Sequence, residues 1–174
     1  VSDGNGVIVN SSDGVSDNPS ISEDGVWIAF QSFATNLDPE LSGNGNSNIY
    51  LRNRVTEEVI LVSRSNSGVI GNQDSYNPSI SADGRYVAYE SLATNLVAGA
   101  QGAGSQIYVY DVLLQRVERV SLGANGLAAN GSCYTPSISA DGRFIAFESL
   151  ATNLDPAFES ALSSTVAVQA FVHD

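Results

Sequence analysis

One octet is written three times along this chain. Residues 18–25 read NPSISEDG, residues 77–84 NPSISADG and residues 135–142 TPSISADG. A second marker, ATNL, follows each octet, starting at Ala34, Ala93 and Ala151. A third, Ile-Tyr, stands at Ile49-Tyr50 and again at Ile107-Tyr108. Three markers in one order, with a period of roughly 60 residues, make the chain a tandem array of one supersecondary unit.

Each unit predicts four short strands. In the second unit the first strand is residues 78–81, ended by Asp83-Gly84, a hairpin-turn pair in which glycine accepts positive φ. The second is residues 86–91 (YVAYES) and the third residues 106–111 (QIYVYD), both rich in β-formers. The fourth, residues 116–121 (RVERVS), alternates polar and apolar as an edge strand with one wet face does. The only helical signal is residues 156–162, where Phe158 and Leu162 share a spacing of one turn. The expected fold is all-β: one domain over residues 1–174, made of propeller blades spanning approximately residues 17–63, 76–121 and 134–174.

The octet, its YVAY continuation, the QIYVYD strand and the Arg119-Val120-Ser121 that follows resemble the TolB-type, WD-like propeller repeat over nearly the whole chain. That resemblance implies a propeller that is often extracytoplasmic, here periplasmic or secreted, and often a protein-binding platform. Some such blades accompany hydrolase domains, and none is visible here. Many members carry acidic residues before the third strand; residues 43–48 and 102–106 hold none.

The third unit ends at its third strand, and three blades are fewer than the four to eight of a closed ring. With no initiating Met and no leader pattern, the chain reads as processed or as a piece of a longer one. Ring closure by two copies would give about six blades, joined through residues 1–10 of one and 165–174 of the other.

Charge narrows the partners. The formal charge is −12, with no lysine, which argues against a nucleic-acid backbone and leaves cations and neutral polar ligands open. Apolar runs are too short to insert into a membrane. Cys133 and His173 are each the only residue of their type. No disulfide within the chain is possible, and Cys133 reads as a small, semi-buried side chain. His173, near the chain end, reads as a surface residue and a poor catalytic base.

Strand parity places the long loops on one face, with Asp3, Asp13, Asp17, Asp38, Glu40, Asp74, Asp155 and Glu159 against Arg64 alone. At the channel mouth of that face, Asp13, Asp17, Asn18, Asp74, Tyr76, Asn77 and Tyr134 form the candidate ligand site. Carboxylates, amides and tyrosines suit a glycan, a polar peptide or Ca²⁺; no other cofactor is expected. A solvated acidic surface explains the same composition. Asp24, Asp83 and Asp141, and likewise Asn36, Asn95 and Asn153, recur in every unit and read as turn formers.

The leading reading is a non-catalytic binding or assembly module with a protein or glycan partner, working as a homodimer. The alternatives are a carboxylate enzyme acting on polysaccharide through Asp13, Asp17 and Asp74, and a structural piece of a larger propeller.

Overall fold

A computed structural model describes residues 14–37, 44–99, 102–123, 125–155 and 168–174. The helical signal at 156–162 lies outside them, as do Asp3, Asp13, Asp38, Glu40, Glu159 and the proposed N-terminal joint at 1–10.

The described residues form three antiparallel sheets and no helix. The first sheet is β1 (Ser16–Ile21), β2 (Trp27–Ser32), β3 (Asn48–Asn53) and β4 (Val59–Leu61), in that order. The second repeats it with β5 (Ser75–Ile80), β6 (Tyr86–Ser91), β7 (Gln106–Asp111) and β8 (Arg116–Arg119). The third holds β9 (Cys133–Ile138), β10 (Ile145–Ser149) and β11 (Gln169–His173), with β10 central. These are propeller blades, the third with three strands.

Local chemistry sets each first hairpin. Ser22 Oγ and the Val26 N–H both donate to Asp24 Oδ1, and Gly25 takes φ of 69°. Asp83 and Asp141 do the same, with Gly84 and Gly142 each at 74°. Each first strand also bulges one residue before the octet's proline. Asn18, Asn77 and Thr135 sit at φ of 47°, 51° and 47°, and the pairing register slips around them. Positive φ at three non-glycine residues, one of them β-branched, costs free energy that the surrounding blades must offset.

The blades pack face to face. Ala29, Ile49, Leu51 and Val62 of the first bury against Ile80, Val87, Tyr89, Tyr108 and Tyr110 of the second. Ala88, Ile107 and Val120 of the second bury against Ile145 and Phe147 of the third. Val87, Ala88, Ile145, Leu37 and Leu96 are buried as expected from the repeat, and Trp27, Ile28 and Leu154 are half-buried. Ala146 is not: it lies exposed, because no described blade covers that side of the third sheet.

The first strands of successive blades abut along a common edge. Ile80 N donates to Ser20 Oγ at 3.2 Å, and Ile138 N to Ser79 Oγ at 3.1 Å. The outer strand β8 alternates as read, with Val117 buried between exposed Arg116 and Glu118.

Candidate functional site

The bulges assemble a polar line across the blades. Asn18 Nδ2 donates to Gln31 Oε1 and to Asn77 Oδ1, both at 3.1 Å. Asn77 Nδ2 donates to Glu90 Oε2 at 3.1 Å. The backbone takes part as well: Asn77 N donates to Gln31 Oε1 at 3.0 Å and Thr135 N to Glu90 Oε2 at 3.4 Å. A bulge frees these N–H groups from the in-sheet ladder, and the neighbouring blade satisfies them. Glu90, nearly fully buried, also accepts from Ser105 Oγ at 2.8 Å. Its three donors explain how a carboxylate survives in a β-sheet interior.

Of the candidate residues, Asn18 and Asn77 are thus joined directly. Asp17, Tyr76 and Tyr134 occupy one register position, opposite Gln31, Glu90 and Glu148. Asp17 is exposed, and Tyr76 and Tyr134 are half-buried. Asp74 is engaged in structure: Oδ1 accepts from Ser47 N at 2.7 Å and Oδ2 from the Tyr76 hydroxyl at 2.8 Å. Burial, and then Asp74 beside it, pushes the Tyr76 phenol up to about 12. Asp13 lies outside the described residues.

Glu90 and Gln31 escaped the sequence reading. Their signal was present in FQS, YES and FES at residues 30–32, 89–91 and 147–149, a polar residue recurring inside an otherwise apolar strand. The structure adds a second feature, on the face of the short loops. Glu23, Asp24, Asp83 and Asp141, with Ala82 and Ala140, line an open cleft of about 450 Å³ at the hairpin end of the first strands. The three aspartates are turn formers, as read. Their serine hydroxyl donors, then a backbone N–H, hold all three below the usual carboxylate range.

Cys133 is buried, and burial pushes its thiol up. Its Sγ lies 3.2 Å from Ser149 Oγ, where the other blades pair Ser16 with Ser32 and Ser75 with Ser91. It substitutes for a serine. Cys133 pairs opposite Ser149 and His173 opposite Ile145, so β10 separates them along its length. Asn95 and Asn153 brace the linkers between blades, donating to Ile70 O and Ala128 O. Among the described residues no group of three or more Asp, Glu, His or Cys comes together to hold a metal. No helix among them is long and apolar enough to cross a membrane.

No family model matches the sequence, and no curated protein does. Solved structures do match. A putative TolB from Agrobacterium tumefaciens superposes with a TM-score of 0.58 at 17% identity, over 94% of this chain and 47% of that one. TolB from Acinetobacter baumannii gives 0.50 at 23%, over 90% of this chain and 29% of that one. The chain has the TolB-type propeller fold. This fold is not confined to TolB: a prolyl endopeptidase structure matches at 0.51 and 14%, over 80% of this chain and 19% of that one. The chain therefore spans less than half the length of each of these proteins.

Proposed function

We propose that this chain is a non-catalytic propeller module that binds a neutral polar ligand, a glycan or a polar peptide segment, along its first strands. The observation that carries this reading is the line of Asn18, Asn77 and Thr135. All three are held at positive φ and linked through Gln31 and Glu90. Strain kept in register across three blades presents amide and hydroxyl groups in a fixed array, as recognition of a polar ligand requires. Two of the carboxylates beside it are already engaged by the fold. Asp74 and Glu90 each accept from donors of the fold. The aspartates of the acidic cleft are held low, whereas a glycosidic general acid needs a raised pKa.

Like the extracytoplasmic proteins its repeat resembles, the module is proposed to act in the periplasm or outside the cell. A structural role inside a larger propeller is the second reading, favoured by the 47% and 29% of the two TolB chains that this one spans.

The test is a titration of the ¹⁵N-labelled chain with neutral oligosaccharides and uncharged polar peptides. Saturable shifts at the amides of Asn18, Asn77, Tyr134 and Thr135 support the module. Shifts at none of them reject it, and release of reducing ends from the oligosaccharides shows an enzyme instead.

A further inference from the structure

Some groups in the polar line hydrogen-bond in one sense only. A backbone N–H donates and never accepts, and a carboxylate accepts and never donates. Asn77 N donates to Gln31 at 3.0 Å, so the oxygen of the Gln31 amide, not its nitrogen, stands at the blade boundary. The same oxygen receives Asn18 Nδ2, which turns the Asn18 carboxamide with its nitrogen towards Gln31. That nitrogen gives its second hydrogen to Asn77 Oδ1. Glu90 repeats the device one blade on. Its Oε2 receives both Thr135 N and Asn77 Nδ2, while Oε1 receives Ser105 Oγ. Each carboxamide is thus held in one direction by a single oxygen, which a backbone N–H of the following blade also engages.

The two asparagines differ in what they have left. Asn18 spends both Nδ2 hydrogens inside the line. Asn77 Nδ2 gives one hydrogen to Glu90, and its second meets no acceptor among the described residues. Asn77 is only half-buried, which leaves that hydrogen within reach of a ligand.

We infer that Glu90 is a positioning residue, holding the Asn77 carboxamide so that one N–H is offered to the ligand, and that the ligand atom read there is a neutral carbonyl oxygen. A hydroxyl both donates and accepts, so it would pair with either direction of the carboxamide. A fixed N–H selects only for an atom that accepts and cannot donate. Carboxylate and phosphate oxygens also accept, but their charge would stand beside the Glu90 carboxylate. What remains is the carbonyl of a secondary amide, carried by an acetamido sugar or by a peptide backbone. The ligand class rests on the polar-ligand reading. The positioning role does not, because the direction of the line is a property of the free chain.

NMR of the ¹⁵N,¹³C-labelled chain tests the two halves separately. In the free chain, scalar coupling across the hydrogen bond from Asn77 Nδ2 to the Glu90 carboxyl carbon is expected, and its absence overturns the positioning role. The ligand probes are N,N′-diacetylchitobiose, acetylglycine methylamide and methyl β-cellobioside, the last with hydroxyls and no carbonyl. At least one carbonyl probe is expected to bind about tenfold more tightly than the cellobioside, read at the Thr135 amide and the Asn77 side chain. Which of the two does so tells a glycan from a peptide. Glu90→Ala is expected to abolish that preference, and Glu90→Gln, which keeps an acceptor oxygen, to retain it. A preference that survives in folded Glu90→Ala overturns the positioning role. Asn77→Gly suits the positive φ and removes the spare hydrogen, so it abolishes the preference even where Glu90→Ala does not fold. Equal binding of the cellobioside, or a preference that survives Asn77→Gly, overturns the ligand class. Shifts with none of the probes overturn the polar-ligand reading and the ligand class together, whatever the coupling in the free chain.

Discussion

The Glu90 carboxylate crosses the blade boundary to accept the Thr135 backbone N–H, just as the Gln31 amide oxygen accepts that of Asn77. This relationship joins a side chain in the middle of one blade to a strained bulge in the next. Glu90 also holds Asn77 Nδ2 and Ser105 Oγ. Glu90→Ala strands three donors and is expected to cost about 2–3 kcal/mol, read as a lowered urea midpoint. Glu90→Gln keeps an amide oxygen in the place where Gln31 already works and is expected to cost about 1 kcal/mol. Equal losses in the two variants would mean that the carboxylate itself, not an acceptor oxygen, holds the boundary.

Tyr89 stacks on Tyr108 with ring centroids 5.9 Å apart, repeating Phe30 on Tyr50 and Phe147 on Phe171. Its hydroxyl is fully buried and finds no hydrogen-bond partner among the described residues. Tyr89→Phe removes an unsatisfied group without changing the ring, and the other two blades already use Phe. Thermal or urea unfolding is expected to show a gain of up to about 1 kcal/mol. A loss greater than about 1 kcal/mol would show that the hydroxyl has a partner, such as a buried water.

Stability should fall on acidification, in a window set by Asp111. Burial alone would raise this carboxyl. The Arg85 guanidinium, with the Leu114 and Leu113 N–H groups, outweighs burial and holds it below the usual carboxylate range. The pairing with Arg85 is 2.8 Å. A depressed folded pKa means that the contribution is fully present above the unfolded value of about 3.9 and is lost as pH drops through the folded one. Urea midpoints measured from about pH 6 down to about pH 2.5 should decline below about pH 4. Asp111→Asn is expected to lower the midpoint at neutral pH and flatten that decline. An unchanged slope in the variant would assign the acid sensitivity to other carboxylates.

Gly84 and Gly68 separate packing from backbone strain. Both have positive φ, 74° and 82°. A Cβ at Gly84 runs into the Trp27 ring, while one at Gly68 meets nothing within 4 Å. Gly68→Ala is expected to cost about 1 kcal/mol of strain alone. Gly84→Ala must also displace Trp27 from the blade boundary, for a total of about 2–3 kcal/mol. Trp27 fluorescence shifts to the red in Gly84→Ala and stays fixed in Gly68→Ala.

The strands, the hairpins and the blade order were legible because each rests on contacts within a few residues. Asp-Gly turns, β-branched and aromatic runs, and an alternating edge strand carry their own signals. Asp24, Asp83 and Asp141 read correctly as turn formers for that reason. The candidate site was legible only in part. Asn18 and Asn77 do meet, directly and through Gln31, and Glu90 carries the line on to Thr135; the sequence reading passed over Gln31 and Glu90. Asp74, read as a ligand, is occupied by its near neighbour Tyr76 and by Ser47, which only folding brings near.

Ala88 and Ala146 mark where local information ends. Their strands, YVAYES and FIAFES, are nearly the same sequence and take the same conformation. Ala88 is fully buried and Ala146 is exposed, as Glu90 is buried and Glu148 is exposed. The sequence by itself determined the repeat, its strands and its turns, because those depend on backbone preference and side-chain alternation. Tertiary structure alone decided which copy of a repeated residue became core, brace or open surface, because burial depends on whether another sheet stands about 10 Å away.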